Sequence, residues 1–359
     1  MKSYLAALPL IVPLVSASPV TLGRRNSDPL DLELSRDGNT GVKATITNAG
    51  NIELKLFVPG TILDKSPVEK VAVYSGNDRV PFDGVRLRMA PPGLITNKAF
   101  RTLAPNETVT LDFDFAQMHD VSPGGEYNLT SKGAIPYAVG NTTRIVGYVP
   151  YKSNVLNVQS VNGTLATIAR REFHAEAKRI VIQSGCTADQ EKATTDALIH
   201  CTNLAKDATR AVARDNRRMK EYFKATDMNT KRVVQAVFTR IAKECGTRLL
   251  EQSVSKLYCT DVYNSCKDGV LAYTLPSQSY MVNCPLFFNA LPSLTPTCHA
   301  QDQATTTLHE MTHLAQIKGT LDYGTYGYEG IKKLPADQNI NHADTYCLFA
   351  NSVNLGAIC

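Results

Sequence analysis

The residues best placed to do chemistry in this 359-residue chain are two histidines and a glutamate in the segment His309-Glu310-Met311-Thr312-His313. Histidines four residues apart lie on one face of a helix, close enough to bind the same tetrahedral zinc ion. Glu310 would then lie beside the metal, where it can take a proton from a water molecule whose pKa the zinc lowers. The segment predicts a zinc peptidase site; the alternative is a solvated amphipathic helix with two histidines by chance.

The flanking sequence favours a helix that ends soon after this segment. Residues 301–308 contain no proline or glycine, whereas Gly319 is a typical stop signal. A catalytic zinc ion usually has a third protein ligand and leaves its fourth position to water. The third ligand must therefore come from further along the chain.

Four downstream positions bear on that third ligand. Gly319 occupies the place where a metzincin has its third histidine, which excludes that family. Glu329 lies among glycines and tyrosines, which disfavour the second helix of a thermolysin-like site. Asp322 follows a glycine at which the chain can turn back toward the metal, and Asp344 could be delivered by a later helix.

Three strings in the last part of the chain resemble the deuterolysin family of secreted fungal zinc endopeptidases, within the aspzincin group. They are Cys-His-Ala-Gln-Asp-Gln-Ala-Thr-Thr-Thr-Leu-His-Glu-Met-Thr-His at 298–313, Gly-Thr-x-Asp at 319–322, and Asn-His-Ala-Asp-Thr-Tyr at 341–346. The resemblance covers about the last half of the chain well, and the first half only in its layout of a leader and a long pro-region. It implies an α-rich, zincin-like catalytic domain.

The resemblance also implies the roles of the site residues. His309, His313 and Asp322 would bind one zinc ion, and Glu310 would be the general base. Asp344, the competing carboxylate, would then orient a ligand histidine. The chain departs from the family pattern because three residues, not two, separate Asp322 from the pair Tyr326-Gly327. Either the loop lies differently, or Tyr323-Gly324 takes the part of that pair.

The group that stabilises the oxyanion is not identified by the resemblance. Where the family has a tyrosine upstream of the motif, this chain has Leu286-Phe287-Phe288. The sequence does not choose among the tyrosines that could substitute: Tyr273, Tyr280, Tyr323, Tyr326 and Tyr328.

The N-terminus predicts export. Residues 1–17 combine an early lysine, an apolar run and small residues at the end, which is typical of a secretory signal. No later run is long and apolar enough to cross a bilayer, so we expect a secreted, extracellular protein without a membrane anchor.

The cysteines divide the chain in two. All nine lie at or beyond Cys186, which predicts a disulfide-stapled C-terminal unit in an oxidising compartment. The basic pairs Arg170-Arg171 and Lys178-Arg179 precede it and are interpreted as sites for a kexin-like processing protease; the alternative is an ordinary charged linker. The predicted layout is a signal peptide (1–17), a propeptide (18–179) and a catalytic domain (180–359). The glycosylation signals agree, since all lie in the propeptide: Asn106, Asn128, Asn141 and Asn162.

Secondary-structure patterns differ on the two sides of this boundary. Alternating apolar and polar residues from about 28 to 155 predict a β-sandwich-like pro-domain, followed by a basic linker. This region has no cysteine to bind the zinc, so inhibition would need occlusion or a residue such as His119 or His174. Further on, apolar residues at three- and four-residue steps predict helices over 188–213, 229–254 and 336–353, with a short β region over 258–284 that could align an extended substrate. The fold class is α+β.

Family cysteine spacing implies three disulfides: Cys186–Cys259, Cys266–Cys284 and Cys298–Cys359. Cys201 and Cys245 fall on the two long helices and could bridge if these pack side by side. Cys347 lies in an apolar helical run and is interpreted as a buried free thiol.

Charge limits the partners. The chain has a formal net charge of +5, but residues 180–359 contain 18 basic and 17 acidic residues. The resemblance implies a preference for basic protein substrates. The basic helix face near Arg210 and Arg218 is interpreted as solvated, so we expect no nucleic-acid partner and a monomer. The alternative function is a secreted adhesive or binding protein with a structural zinc, which would have no need of Glu310.

Overall fold

The computed structural model describes residues 29–179, 185–247 and 254–359 of the chain. Strands and helices are both abundant, which confirms the α+β fold class. The predicted signal segment and the predicted mature N-terminus at Ile180 lie outside the described residues. Within the described ranges, every helix is too short or too polar to cross a membrane.

The N-terminal region, residues 29–179, is built mainly from antiparallel strands. Its strands are β1 (Leu30–Asp37), β2 (Gly41–Asn48), β3 (Leu54–Phe57), β4 (Ala72–Ser75), β5 (Asp78–Val80), β6 (Arg86–Met89), β7 (Phe100–Leu103), β8 (Thr108–Asp114), β9 (Gly125–Thr130), β10 (Lys132–Ala138), β11 (Gly147–Lys152) and β12 (Leu156–Val161). All but β6 form three sheets, in the orders β1-β2-β8, β11-β10-β3-β7 and β12-β9-β4-β5. One apolar core is shared by these three sheets.

Alternation explains why these segments form strands with one buried face. In β2, Val42, Ala44 and Ile46 are buried, while Lys43 between them is exposed. Strand β8 has the same alternation and pairs with β2, with Ala44 opposite Leu111. A side-chain period of two places all the apolar residues of such a pair on the core side.

The segment predicted as a basic linker is instead largely helical. Helix α1 (Gly163–Arg179) begins after Asn162, whose side chain accepts hydrogen bonds from the backbone N–H groups of Thr164 and Leu165. Ala166 and Phe173, seven residues apart on one face, are buried. The basic residues therefore lie on a packed amphipathic helix.

The C-terminal region, residues 185–359, is rich in helices. They are α2 (Ala188–Arg214), α3 (Asn216–Arg218) with the following π-helical turn (Met219–Phe223), α4 (Met228–Gly246), α5 (Pro285–Ala290), α6 (Gln303–His313), α7 (Gly327–Ile331), α8 (Ala336–Asn339) and α9 (Ala343–Leu355). Helices α2, α4, α6 and α9 share one apolar core. The strands of this region are β13 (Lys256–Tyr258), β14 (Val270–Leu275) and β15 (Tyr280–Asn283).

Two predicted helices have different bounds in the structure. Helix α4 begins after Asp227, whose carboxylate caps it, and ends at Gly246. Residues 248–253 of the predicted helix lie outside the described residues. Glycine favours a helix end, and Thr247 already has a non-helical ψ of 79°. The predicted helix over 336–353 is divided into α8 and α9 because His342, between them, has extended backbone angles.

One sheet contains strands from both regions. Its order is β13-β15-β14-β6, so the N-terminal strand β6 lies at the edge and pairs with β14. This sheet lies against helix α6, which carries the two histidines of the sequence motif.

The disulfides connect the helices and strands of the C-terminal region. The pairs are Cys186–Cys259, Cys266–Cys284, Cys298–Cys359 and Cys201–Cys245, which confirms the three implied pairs and the suggested bridge between the two long helices. Cys347 is buried with a free thiol, as predicted.

Candidate metal centre and active site

Helix α6 positions the first two candidate ligands. Asp302 caps its N-terminus by accepting a hydrogen bond from the Thr305 backbone N–H, while the Asp302 backbone N–H donates to the Thr305 hydroxyl. Every residue of this helix is buried, which fixes the rotation of the helix and the direction of each side chain. His309 and His313 therefore project together from one face.

Three side chains converge at the end of this helix. The Nε2 atoms of His309 and His313 lie 3.1 Å apart. The Asp322 carboxylate lies 3.3 Å from His309 Nε2 through Oδ1 and 3.4 Å from His313 Nε2 through Oδ2. Atoms bound at about 2.0–2.1 Å to a tetrahedral zinc ion lie about 3.3 Å apart. The donor atoms and their spacing therefore fit a zinc ion held by these three residues.

The other ring nitrogens make hydrogen bonds that leave both Nε2 atoms available to a metal. His313 Nδ1 donates to the Thr320 carbonyl at 2.9 Å, and His309 Nδ1 donates to Asp344 Oδ1 at 2.9 Å. Such partners fix the tautomer and the ring orientation of a metal-bound histidine. Asp344 thus lies behind His309, on the side opposite the shared cluster of Nε2 atoms.

The loop after Gly319 carries Asp322. Gly319 has a φ of +68°, a conformation that favours glycine, and it turns the chain back along the helix. His342 supports the loop by donating from Nε2 to the carbonyls of Asp322, at 3.0 Å, and Thr325, at 2.9 Å. His342, whose extended backbone divides the predicted C-terminal helix, therefore stabilises the loop that carries Asp322. This role was missed, although His342 lies in one of the three family-like strings.

The extra residue in the loop is accommodated at Tyr323, which has a φ of +52°. Tyr323 is 39% exposed, whereas Tyr326 is turned inward and donates its hydroxyl hydrogen to the Leu87 carbonyl at 3.1 Å. The backbone N–H of Gly327 donates to Asp344 Oδ2 at 2.6 Å. The Tyr326-Gly327 pair, not Tyr323-Gly324, is thus the one that contacts the site.

Glu310 is buried beside the histidines. Its Oε2 accepts a hydrogen bond from the Thr274 hydroxyl at 2.5 Å, while Oε1 has no hydrogen-bond partner among the described residues. Burial raises the pKa of Glu310 to about 7, with His309 and Thr274 opposing the rise. One oxygen is therefore held in place, and the other is free to exchange a proton.

The electrostatics of the cluster favour a bound cation. Burial lowers the pKa of His313 to about 4, so its imidazole is neutral, as a metal ligand must be. The pKa of Asp322 is lowered to about 2, because burial alone would raise it but the neighbouring His313 and His309 outweigh that effect. Burial and Arg88 lower the pKa of His309, yet hydrogen bonds to Asp322 and Asp344 raise it well above its usual value. A metal ion at Nε2 would take the place of that proton.

A second cluster of possible ligands, formed by His309, Asp344 and Cys347, lies on the opposite side of the His309 ring. Arg88 from strand β6 already occupies it. Its guanidinium forms an ion pair with Asp344, and Nη1 lies 3.1 Å from His309 Nδ1. No pattern in the sequence indicates that an arginine of the N-terminal region reaches the site. The two histidines considered as inhibitory residues of the pro-domain have other partners. His119 contacts Phe82 and the Val80 carbonyl, and His174 contacts Asp83 and Phe173.

An α+β chain with two helix-borne histidines, an aspartate and a buried glutamate around one point has the site of a zinc peptidase. The family model for deuterolysin metalloproteases (M35) matches residues 3–357, and the chain belongs to this family. Family membership makes the chain a zinc metalloendopeptidase and disfavours the alternative of a non-catalytic binding protein.

Fungal relatives match along nearly the whole chain. A neutral protease 2 homolog from Colletotrichum graminicola is 47% identical over 97% of this chain and 97% of its own length. Another from Phaeosphaeria nodorum is 47% identical over 98% of this chain and 99% of its own length. A solved zinc peptidase from Grifola frondosa is 20% identical, with a TM-score of 0.40, over 46% of this chain and 97% of that one.

Proposed function

We propose that His309, His313 and Asp322 bind one zinc ion per chain and that Glu310 is the general base for peptide-bond hydrolysis. The observation that carries this proposal is that the donor atoms of the three side chains lie 3.1–3.4 Å apart, beside a buried glutamate oxygen without a partner among the described residues. Asp344 is assigned to positioning, because it accepts from His309 Nδ1.

A bound zinc ion would polarise the peptide carbonyl and lower the pKa of the attacking water. Glu310 Oε1 accepts the proton from that water while Thr274 holds Oε2. The same carboxyl group can return this proton to the leaving amine.

Tyr326 is the best candidate for stabilising the oxyanion. Its hydroxyl already donates to a backbone carbonyl, that of Leu87, in the strand beside the site. The hydroxyls of Tyr273 and Tyr328 are bound to Asp261 and Glu221 instead. Tyr326 can therefore donate to the oxygen that becomes negatively charged during hydrolysis.

We also infer that the chain is a secreted zymogen with a signal peptide (1–17), a propeptide (18–179) and a catalytic domain (180–359). A kexin-like cut after Arg179 would separate the region without cysteines from the disulfide-bonded region. The four glycosylation signals are exposed and all precede the cut: Asn106, Asn128, Asn141 and Asn162. A preference for basic protein substrates is carried over from the family resemblance.

Exchange of Glu310 for glutamine tests the catalytic assignment. Zinc content should stay near one per chain because the ligands remain, while casein digestion should fall at least about a hundredfold because the base is lost. Glu329→Gln is the matched control, since the Glu329 side chain is 77% exposed and pairs with Lys332. An unchanged digestion rate in Glu310→Gln would rule out the proposed mechanism.

A further inference from the structure

Strand β6 belongs by sequence to the N-terminal region but pairs with a strand of the C-terminal region. It runs antiparallel to β14, with Met89 opposite Val270 and Leu87 opposite Tyr273. Beyond the strand, the Ala90 N–H donates to the Gly269 carbonyl at 2.8 Å. Strand β14 would be the free edge of its sheet without β6, and a free edge is a template for an extended peptide.

The position of this edge relative to the site identifies it as the substrate cleft. Thr274 of β14 donates to Glu310, so the strand lies directly beside the proposed base. Tyr326 donates to the Leu87 carbonyl, and the Gln301 side chain donates to the Met89 carbonyl at 3.2 Å. The C-terminal region therefore binds the backbone of β6 on both sides of Arg88.

Arg88 anchors the strand. Its side chain is 1% exposed and lies between α6 and α9, where it pairs with Asp344 and approaches Cys347 Sγ at 3.9 Å. A buried guanidinium is tolerated only when its charge is paired, and here a buried carboxylate of the other region supplies the partner. The pocket that receives Arg88 is formed by side chains of the C-terminal region: His309, Asp344 and Cys347.

Contacts on either side of β6 fix both ends of the strand, the first within the N-terminal region and the second with the C-terminal region. Asp83, before the strand, pairs with Arg170 and His174 of helix α1. After the strand, the Thr96 N–H donates to Asp268 Oδ2 at 2.8 Å. Because both flanks are fixed, little conformational entropy is lost when the strand occupies the cleft.

We propose that Arg86–Met89 is a built-in inhibitory segment that fills the substrate cleft in the manner of a substrate, with Arg88 as its anchor. The proposal rests on the proposed function, since it takes the cleft beside Glu310 to be where peptides are hydrolysed. The segment pairs with the edge of β14, accepts a hydrogen bond from the Tyr326 hydroxyl and fills the pocket at Asp344. Release of the N-terminal region then opens the cleft.

The first test uses the intact, zinc-loaded chain, in which Lys178 and Arg179 are replaced by glutamine and the length is verified by mass spectrometry. This chain should hydrolyse a fluorogenic peptide at least tenfold more slowly than the processed enzyme. Arg88→Ala in the intact chain should raise the rate at least tenfold and increase hydrogen exchange in β14. An intact chain as active as the processed enzyme would overturn the proposal, as would an Arg88→Ala chain that folds and stays silent.

The matched control is Arg79→Ala. Arg79 belongs to the same region, but its side chain is 53% exposed and pairs with Glu69. This variant should leave both the hydrolysis rate and the exchange of β14 unchanged. Equal activation by the two substitutions would show a general loosening of the N-terminal region and would overturn the role of Arg88.

The second test does not require the Arg88 variant to fold. A synthetic peptide with the sequence of residues 82–92 is titrated into the processed, zinc-loaded Glu310→Gln protein. It should bind saturably, and alanine at the position of Arg88 should weaken binding at least tenfold. Absence of binding, or equal binding of both peptides, overturns the proposal.

The two tests separate this inference from the proposed function. Peptide binding by a processed wild-type protein that hydrolyses nothing would contradict the proposed function and support the segment's fit to the cleft. Hydrolysis by the processed enzyme, together with no binding of the peptide, would support the function and overturn the inhibitory segment.

Discussion

The N-terminal and C-terminal regions achieve stability by different means. The N-terminal region has no cysteine, and its sheets enclose a largely aliphatic core. The C-terminal region buries Glu310, Asp322 and Asp344 together, which opposes folding because charges lose their hydration. Four disulfides staple this second region. The region that buries the reactive groups is therefore also the one that disulfides cross-link.

The largest expected effect comes from removing one of those staples. The Cys298–Cys359 bridge has a sequence separation of 61. Closing such a loop contributes on the order of 4 kcal/mol to the free energy of unfolding, because it restricts the unfolded chain. Replacing both cysteines by alanine should lower the free energy of unfolding of the C-terminal region by about that amount and increase hydrogen exchange in α6. The N-terminal strands should be unaffected.

Peptide-level hydrogen exchange measures both regions in one experiment. Cys347→Ala is the control, because the Cys347 thiol is free and its loss opens no loop. Equal destabilisation of β1 and β2 by the double substitution would contradict the view that the two regions are stabilised separately. Non-reducing peptide mapping that found Cys347 in a disulfide would contradict the assignment of the free thiol.

The next effect concerns metal binding in the C-terminal region, where it distinguishes the two buried aspartates. Asp322→Ala should weaken zinc binding by more than about a hundredfold because a ligand is lost, whereas Asp344→Ala should weaken it by about 10- to 100-fold through the orientation of His309. Zinc analysis after dialysis against a weak chelator measures both variants. A site emptied only by Asp344→Ala would show that the third ligand is wrongly assigned.

The smallest expected effect is the contribution of His119 to the pH dependence of the N-terminal region. Burial lowers the pKa of His119 to about 4. The unfolded state, with a pKa of about 6.5, therefore binds more protons between these values, and the free energy of unfolding falls as the pH falls. From pH 7 to pH 5 the loss should be about 2 kcal/mol.

His119→Gln isolates this contribution, because glutamine does not titrate. Exchange of the N-terminal strands should depend less steeply on pH in this variant than in the wild type, while exchange of α2 and α4 should have the same pH dependence in both. An equal slope in the N-terminal strands of the two proteins would contradict the assignment to His119.

Local patterns in the sequence were enough to predict much of this protein. The spacing of His309 and His313 places both on one helix face, because a helix repeats every 3.6 residues. Alternation in β2 and β8 fixes their buried faces. The α+β class and the free thiol of Cys347 were also predicted correctly, the last from its apolar helical surroundings.

The tertiary structure alone decided which distant groups meet at the site. Asp322 and Asp344 were both plausible ligands, and only the fold places one at the Nε2 atoms and the other at Nδ1 of His309. The same holds for Arg88, which is 221 residues from His309 in sequence and reaches it through a strand pairing between two regions. Local spacing determines the faces of helices and strands, whereas the pairing of distant edges and the burial of opposite charges depend on the packing of the whole chain.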